Sequence, residues 1–372
     1  MAAPIYLDYQ ATTPLAPEAL AAMLPWLNGP GSFANPHSAH APGRAAAAAV
    51  EVARERVAAL LPSGGQTVFT SGATEALNLA IKGAPAGDIV TIATEHAAVL
   101  DTVGALEKSG RRVVRLPVGP DGLVDLERAR AAIVPGVALV AAMLVNNEIG
   151  VIQPVGAMAD MAHDSGALML CDAVQGYGRV PIPANVDMVA ISAHKIHGPK
   201  GIGALWMRNG VSLDPLLHGG GQERGVRSGT LSPALCAGFG MAAKLALEGG
   251  DMDAAHVHRL CNVAKPHLAG WTINGSVTDR YPGNLNIRRD GLDVGRLMSE
   301  VRGVAFSAGS ACASGSGRPS HVLSALGLVS GAIKGSIRLG FGRYTGEAEL
   351  ETALRRINTA ADAQLSRRTE EA

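Results

Sequence analysis

The chain has seven lysines against 25 arginines, and one lysine stands apart from the other six. Asp187 to Ser192 reads as a buried strand, and Ala193-His194-Lys195 follows directly at its end. Lys82, Lys108, Lys244 and Lys265 fall on or beside predicted helices, Lys200 lies in a Gly-Pro-Lys-Gly turn, and Lys334 precedes Gly335. Partial desolvation at a strand end lowers an amine pKa and makes it nucleophilic, the environment a Schiff-base lysine needs. Asp172 closes the preceding apolar run, Ala167 to Cys171. A carboxylate there can hold a pyridinium N–H, and pyridoxal phosphate sites pair such a carboxylate with a lysine. Taken alone, Asp172 equally fits a helix N-cap.

Further groups collect at the ends of the other predicted strands. Thr67 to Ser71 runs into Gly72-Ala73-Thr74-Glu75, a strand–Gly–helix turn whose free N–H groups and dipole suit a phosphate. Asp88 to Thr94 ends on Glu95-His96, where the imidazole could be a core group, stack on a cofactor ring or carry protons. Val137 to Val145 ends on Asn146-Asn147-Glu148, and Gln175 follows Asp172 by three. Cys312 lies among small residues in Ser-Ala-Gly-Ser-Ala-Cys-Ala-Ser-Gly-Ser-Gly. A thiol there reads as a nucleophile or as an incidental surface cysteine. Cys171, Cys236 and Cys261 fall in apolar strand or helix patterns and read as buried and inert. Arg338, in Gly-Ser-Ile-Arg-Leu-Gly, could clamp a carboxylate bidentately or be an ordinary strand arginine.

The elements that must position these groups follow a strand–turn–helix rhythm. Helices are expected over about Thr74 to Lys82, Val99 to Lys108 and Val155 to Ser165, with a longer one from Arg44 to Leu61. Strands alternating with helices, and nearly continuous apolar runs, mean a mostly parallel sheet covered on both faces. Ligands bind such sheets outside the carboxyl ends of the strands, which is where the groups above converge. A composition shift near Leu247-Glu-Gly-Gly-Asp-Met suggests a boundary. Beyond it lie a helix from about Met252 to Leu268, a strand with a loop (Thr272 to Asn286), and a helix from Val294 to Val301. The expected division is a large domain over 15–248 and a smaller α+β domain formed by 1–14 plus 249–372.

Composition removes several function classes. Thirty-two basic and 32 acidic residues cancel, which argues against a chain built mainly to hold nucleic acid or an anionic membrane. The longest apolar run is nine residues, Val137 to Val145, well short of the roughly 20 a membrane helix needs. The N-terminus lacks the basic and apolar regions of a signal peptide. The four cysteines form neither a C-x-x-C pair nor a dense framework, so neither zinc nor a disulfide scaffold is indicated and a reducing cytoplasm is expected.

Together, Ser71-Gly-Ala-Thr-Glu, Glu95-His96, Asn146-Asn-Glu-Ile-Gly-Val, Asp172-Ala-Val-Gln, Ser192-Ala-His-Lys-Ile-His-Gly-Pro-Lys-Gly and His218-Gly-Gly-Gly-Gln-Glu-Arg-Gly-Val-Arg-Ser-Gly-Thr230 resemble the cysteine desulfurases. These are class V aminotransferase-fold enzymes, fold-type I, that use pyridoxal 5'-phosphate. Ser310-Ala-Cys312 in a long loop resembles the group I (NifS/IscS-type) branch. The resemblance spans Tyr6 to about Thr345.

It implies that Lys195 carries the cofactor, Asp172 faces the pyridine nitrogen, His96 stacks and moves protons, and Cys312 receives the sulfur as a persulfide. Further cofactor contacts fall on Ala73, Thr74, Asn147, Gln175, Ser192 and His194. Thr230 would reach the phosphate of the other subunit in a homodimer, and Asn35 and Arg338 would hold the carboxylate of L-cysteine. An iron–sulfur scaffold or another sulfur acceptor is the implied protein partner; no metal site, nucleic acid or membrane is implied. Selenocysteine lyase and class V transaminase are the neighbouring readings, although a transaminase has no need of the Cys312 thiol. Arg318 stands where relatives carry an acid, and the chain ends at Thr-Glu-Glu-Ala, short of the tail on which some relatives dock the scaffold. Both departures bear on partner docking rather than on the chemistry.

Overall fold

The computed structural model describes residues 3–29, 33–309 and 319–371. Cys312, its neighbour Ser310 and Arg318 lie outside the described residues.

Seven strands form the main sheet, in the order Gly65–Thr70, Gly203–Arg208, Met188–Ser192, Leu168–Asp172, Val137–Met143, Asp88–Ile92, Val113–Leu116. The five strands from Met188–Ser192 to Val113–Leu116 run parallel, as the apolar runs predict. Gly203–Arg208 lies antiparallel to both its neighbours. The interior strand Met188–Ser192 is buried at every position, which only helices on both faces can achieve. Helices Ala73–Gly83 and Ala97–Lys108 contact each other on one face of the sheet, where Leu77, Ile81, Val99 and Val103 are fully covered. On the other face Val50, Val57, Met158 and Phe239 belong to the larger core.

Several strands were not delimited in the sequence reading, among them Val113–Leu116, Gly203–Arg208, Ser336–Gly340 and the two-residue strands Ile5–Tyr6, Val304–Ala305 and Ser307–Ala308. Val113–Leu116 is an edge strand with partly exposed positions and flanking arginines, so its apolar signal is short. Gly203–Arg208 and Ser336–Gly340 each open beside glycine turns. Gly203 must be glycine: a Cβ there would stand 2.5 Å from the Ile191 carbonyl and 2.7 Å from the Gly72 carbonyl carbon. This close approach brings the phosphate-type turn against the end of the strand that leads to Lys195.

Gly249 and Gly250, beside the expected domain boundary, lie within a helix. That helix runs Pro233–Ala264, capped by the Ser232 hydroxyl accepting from the Leu235 N–H. Two glycines cost about 1 kcal/mol each in a helix interior, and burial of Ala246 before them and Val257 and Leu260 after them outweighs this. The helix crosses Ala41–Ala58 at Gly240, where a Cβ would come 2.6 Å from the Ala53 Cα. Beyond it, a four-stranded antiparallel sheet orders as Ser307–Ala308, Ser336–Gly340, Asn284–Arg288 and Thr272–Ile273. The N-terminal Ile5–Tyr6 pairs in parallel with Val304–Ala305. Among the described residues no helix is long and apolar enough to cross a membrane.

Candidate active site

A cavity of about 390 Å³ opens at the carboxyl ends of the parallel strands. Nine expected residues line it together: Ala73, Thr74, His96, Asn147, Asp172, Gln175, Ser192, His194 and Lys195. Asp172 and Ser192 end neighbouring parallel strands, so the sheet register itself sets the carboxylate beside the turn that carries Lys195.

The N-terminal segment pins that turn. Thr13 donates to the His194 carbonyl through its N–H at 2.9 Å and its hydroxyl at 3.0 Å, while accepting from the His197 N–H at 2.7 Å. The Lys195 Nζ donates to the carbonyls of Gln10 at 2.6 Å and Ala11 at 2.8 Å. Arg179 donates to the Lys195 carbonyl and, at 3.2 Å, to the Gln175 Oε1. Burial, with Arg338 and Arg179 nearby, pushes the Lys195 amine down to about 8. That makes the neutral, nucleophilic form a sizeable minority near physiological pH, where an ordinary lysine is almost wholly protonated.

Asp172 is buried, with Oδ1 accepting from the Val174 N–H at 3.0 Å. Burial raises its pKa, opposed by the Val174 N–H, His96 and Lys195. The His96 ring lines the cavity, which excludes the core-histidine reading. Its Nδ1 accepts from the Ala98 N–H at 3.1 Å, so the neutral ring carries its proton on Nε2. Burial lowers its pKa, Lys195 and His321 push the same way, and Asp172 opposes them. His194, held by Thr12 Oγ1 at 3.1 Å, is pushed down to about 4 by burial, Lys195 and Lys200.

At the opposite wall, Ala76 N–H makes the first bond of helix Ala73–Gly83, to the Gly72 carbonyl. The amides ahead of it at Ala73, Thr74 and Glu75 sit at the helix N-terminus, an anion-binding arrangement. Glu75 braces this turn by accepting from the Ser71 N–H at 2.7 Å and pairing with Arg227 at 2.7 Å.

Three expected residues do not line the cavity. Asn35 is exposed and its Oδ1 accepts from the His37 N–H at 2.9 Å. Thr230 is exposed on the loop after Arg227. Arg338 lies on the second sheet, donating to the Asn147 carbonyl at 3.1 Å and pairing with Asp8 at 2.8 Å. Cys171 and Cys236 are buried as expected, and burial pushes the Cys236 thiol up to about 12; Cys261 is half-buried instead.

The sequence reading missed Gln10, which meets Lys195 through a backbone carbonyl and so carries no side-chain signal. It also assigned Lys200 only to a turn, whereas that residue lines the cavity. The Asp-Tyr-Gln-Ala-Thr-Thr-Pro run was the available clue to the first.

The chain belongs to the class-V aminotransferase family, whose model matches residues 5–352. It is 42% identical to the cysteine desulfurase IscS of Rickettsia africae and 43% identical to that of Rickettsia felis, each over 96% of this chain and 91% of the relative. A NifS-like protein of solved structure superposes with a TM-score of 0.88 at 33% identity, covering 96% of this chain and 98% of the other. A structure of SspA in complex with cysteine gives 0.80 at 35% identity, covering 92% and 99%. These similarities place the chain among the cysteine desulfurases.

Proposed function

We propose that the chain is a cytoplasmic, homodimeric L-cysteine desulfurase that uses pyridoxal 5'-phosphate and passes sulfur from Cys312 to an acceptor protein. The observation that carries the reading is the facing of Lys195 and Asp172 from adjacent strand turns across a cavity that also holds His96 and a helix N-terminus. The relatives' cysteine desulfurase names and the cysteine in the SspA structure support the choice of substrate.

The residues present fit the cofactor. A buried carboxylate with no cationic hydrogen-bond partner among the described residues suits a pyridinium N–H, the depressed Lys195 amine suits an aldehyde, and the Ala73–Thr74 amides suit a phosphate. When bound, the cofactor supplies an electron sink for the substrate carbon.

The chain's own groups divide the remaining work. Arg338 and Asn35 hold the substrate carboxylate, and Lys195 moves the proton at Cα. His96, neutral and protonated on Nε2, exchanges a proton at the cavity wall. The Cys312 thiolate attacks the substrate sulfur: an S–S bond forms on Cys312, the substrate Cβ–S bond breaks, and Cβ takes up a proton. Alanine leaves, and the persulfide is the sulfur donor for iron–sulfur cluster assembly or tRNA thiolation. Alanine formed from L-cysteine in equal amount to persulfide sulfur is the direct test; pyruvate or keto-acid formation without persulfide would overturn it.

A further inference from the structure

His321 stands nine positions after Cys312 in the chain, and the structure seats it against the residue that precedes His96. Its neighbour Ser320 is fully buried and caps the helix His321–Ala325 by accepting from the Leu323 N–H at 3.0 Å. The Ser320 hydroxyl donates to Glu148 Oε2 at 2.5 Å, which ties the start of this helix to the turn carrying Asn147. Val322, Leu323 and Leu326 pack with Ile149 and Val151 and reinforce the attachment. With its backbone so fixed, the His321 Nε2 lies 2.8 Å from the carbonyl oxygen of Glu95. A carbonyl only accepts, so Nε2 carries a proton here in either charge state of the ring.

The Glu95 side of the contact is equally constrained. Glu95 is fully buried, its Oε1 accepts from the Met143 N–H at 2.7 Å, and its N–H donates to the Ile92 carbonyl at 3.2 Å. The peptide joining Glu95 to His96 is thus held by its side chain within the sheet and by its carbonyl from His321. Among the described residues, the His96 ring has a single hydrogen bond to fix it, the Ala98 N–H to Nδ1, and that bond depends on the backbone of His96 keeping its N-cap conformation.

We propose that His321 is a positioning residue for His96: its N–H to the Glu95 carbonyl holds the peptide from which the His96 ring projects into the cavity. The proposal rests on the desulfurase reading for its kinetic consequence, whereas its structural part does not. Displacing a proton-transfer group by about 1 Å costs up to about 100-fold in rate, and a group used in the transition state affects kcat more than KM.

The test compares His321→Phe, which keeps a ring and loses the donor, with His321→Gln, whose amide N–H reaches a similar point. Full-length protein labelled with 15N-histidine is observed by NMR, with His96→Gln identifying the His96 signals. The expected wild-type signal is a neutral His96 unprotonated at Nδ1. His321→Phe should mix the two tautomers and lower kcat about 10- to 100-fold with KM little changed; His321→Gln should restore both. Unchanged His96 signals and kcat in His321→Phe would overturn the proposal. So would a folded His321→Gln variant as defective as His321→Phe. Altered His96 signals in a protein whose wild type forms no alanine would sink the desulfurase reading and leave the positioning role standing.

Discussion

Arg338 and Asp8, 330 residues apart, form a salt bridge in which Nη2 lies 2.8 Å from Oδ1, both side chains being largely covered. Ser307 adds a hydroxyl to the same carboxylate oxygen at 2.9 Å, and Arg338 also donates to the Asn147 carbonyl. The N-terminal segment, the second sheet and a cavity-lining turn therefore meet on one guanidinium. A substrate carboxylate would bind beside a cation that is already oriented, with donors to spare on the fork.

Arg338→Lys keeps the charge and loses the planar fork. Charge-assisted hydrogen bonds are worth about 1.5–3 kcal/mol each, so KM for L-cysteine should rise about 10- to 100-fold, with kcat falling less. Steady-state alanine formation measures both, and an unchanged KM would remove Arg338 from the substrate site.

Lys195 should capture pyridoxal 5'-phosphate in a pH-dependent way, since only the neutral amine attacks. With its amine pushed down to about 8, the capture rate should climb tenfold per pH unit below that value and level above it. Arg179→Met removes one of the cations that depress it and should move the midpoint up. Borohydride trapping and peptide mapping should place the adduct on Lys195 and find none in Lys195→Ala. The same shift has a stability consequence: between about 8 and the ordinary 10.5 the unfolded chain binds the extra proton, so this group makes stability rise with pH across that window.

Cys312→Ser should abolish sulfide release while leaving cofactor binding and the cysteine-dependent spectral change in place. Without a reductant, wild-type alanine formation should stop near one per active site. Turnover at the wild-type rate in Cys312→Ser would show that another nucleophile accepts the sulfur.

The loop leading to Thr230 is anchored through Glu223, whose carboxylate is nearly fully buried, pairs with Arg54 at 2.7 Å and accepts from the Phe69 N–H at 2.7 Å. Arg54→Met leaves that carboxylate without its cation, and breaking such a pair typically costs about 3–5 kcal/mol. Urea denaturation should show the loss as a lower midpoint. A change below about 1 kcal/mol would mean that Glu223 is satisfied by backbone N–H groups alone.

Thr230 is exposed and does not line the cavity of its own chain; the proposed homodimer would bring it to the phosphate of the other subunit. Mixing inactive Lys195→Ala chains with inactive Thr230→Trp chains should restore part of the activity, because one site in each heterodimer receives both sound residues. Subunit exchange confirmed by mass spectrometry, with no activity regained, would assign Thr230 to a local turn.

The sequence by itself determined the chemistry of the cavity, because the parallel-sheet rule places strand ends together without any knowledge of long-range contacts. Lys195, Asp172, His96 and Thr74 each follow an apolar run, and the runs alone establish that they share an edge. Tertiary structure decided what holds those groups. The Gln10 and Ala11 carbonyls on Lys195, the Arg179 contact behind it and the His321 bond to Glu95 all use backbone oxygens, which every residue type offers alike. The continuity of Pro233–Ala264 through Gly249-Gly250 was likewise a matter of packing, since helix propensity argues against it and only the burial of Ala246, Val257 and Leu260 overrides that local cost. Periodicity reports which face of a segment is covered. It carries no record of which distant carbonyl or carboxylate the covered face meets, and that depends on the path of the whole chain.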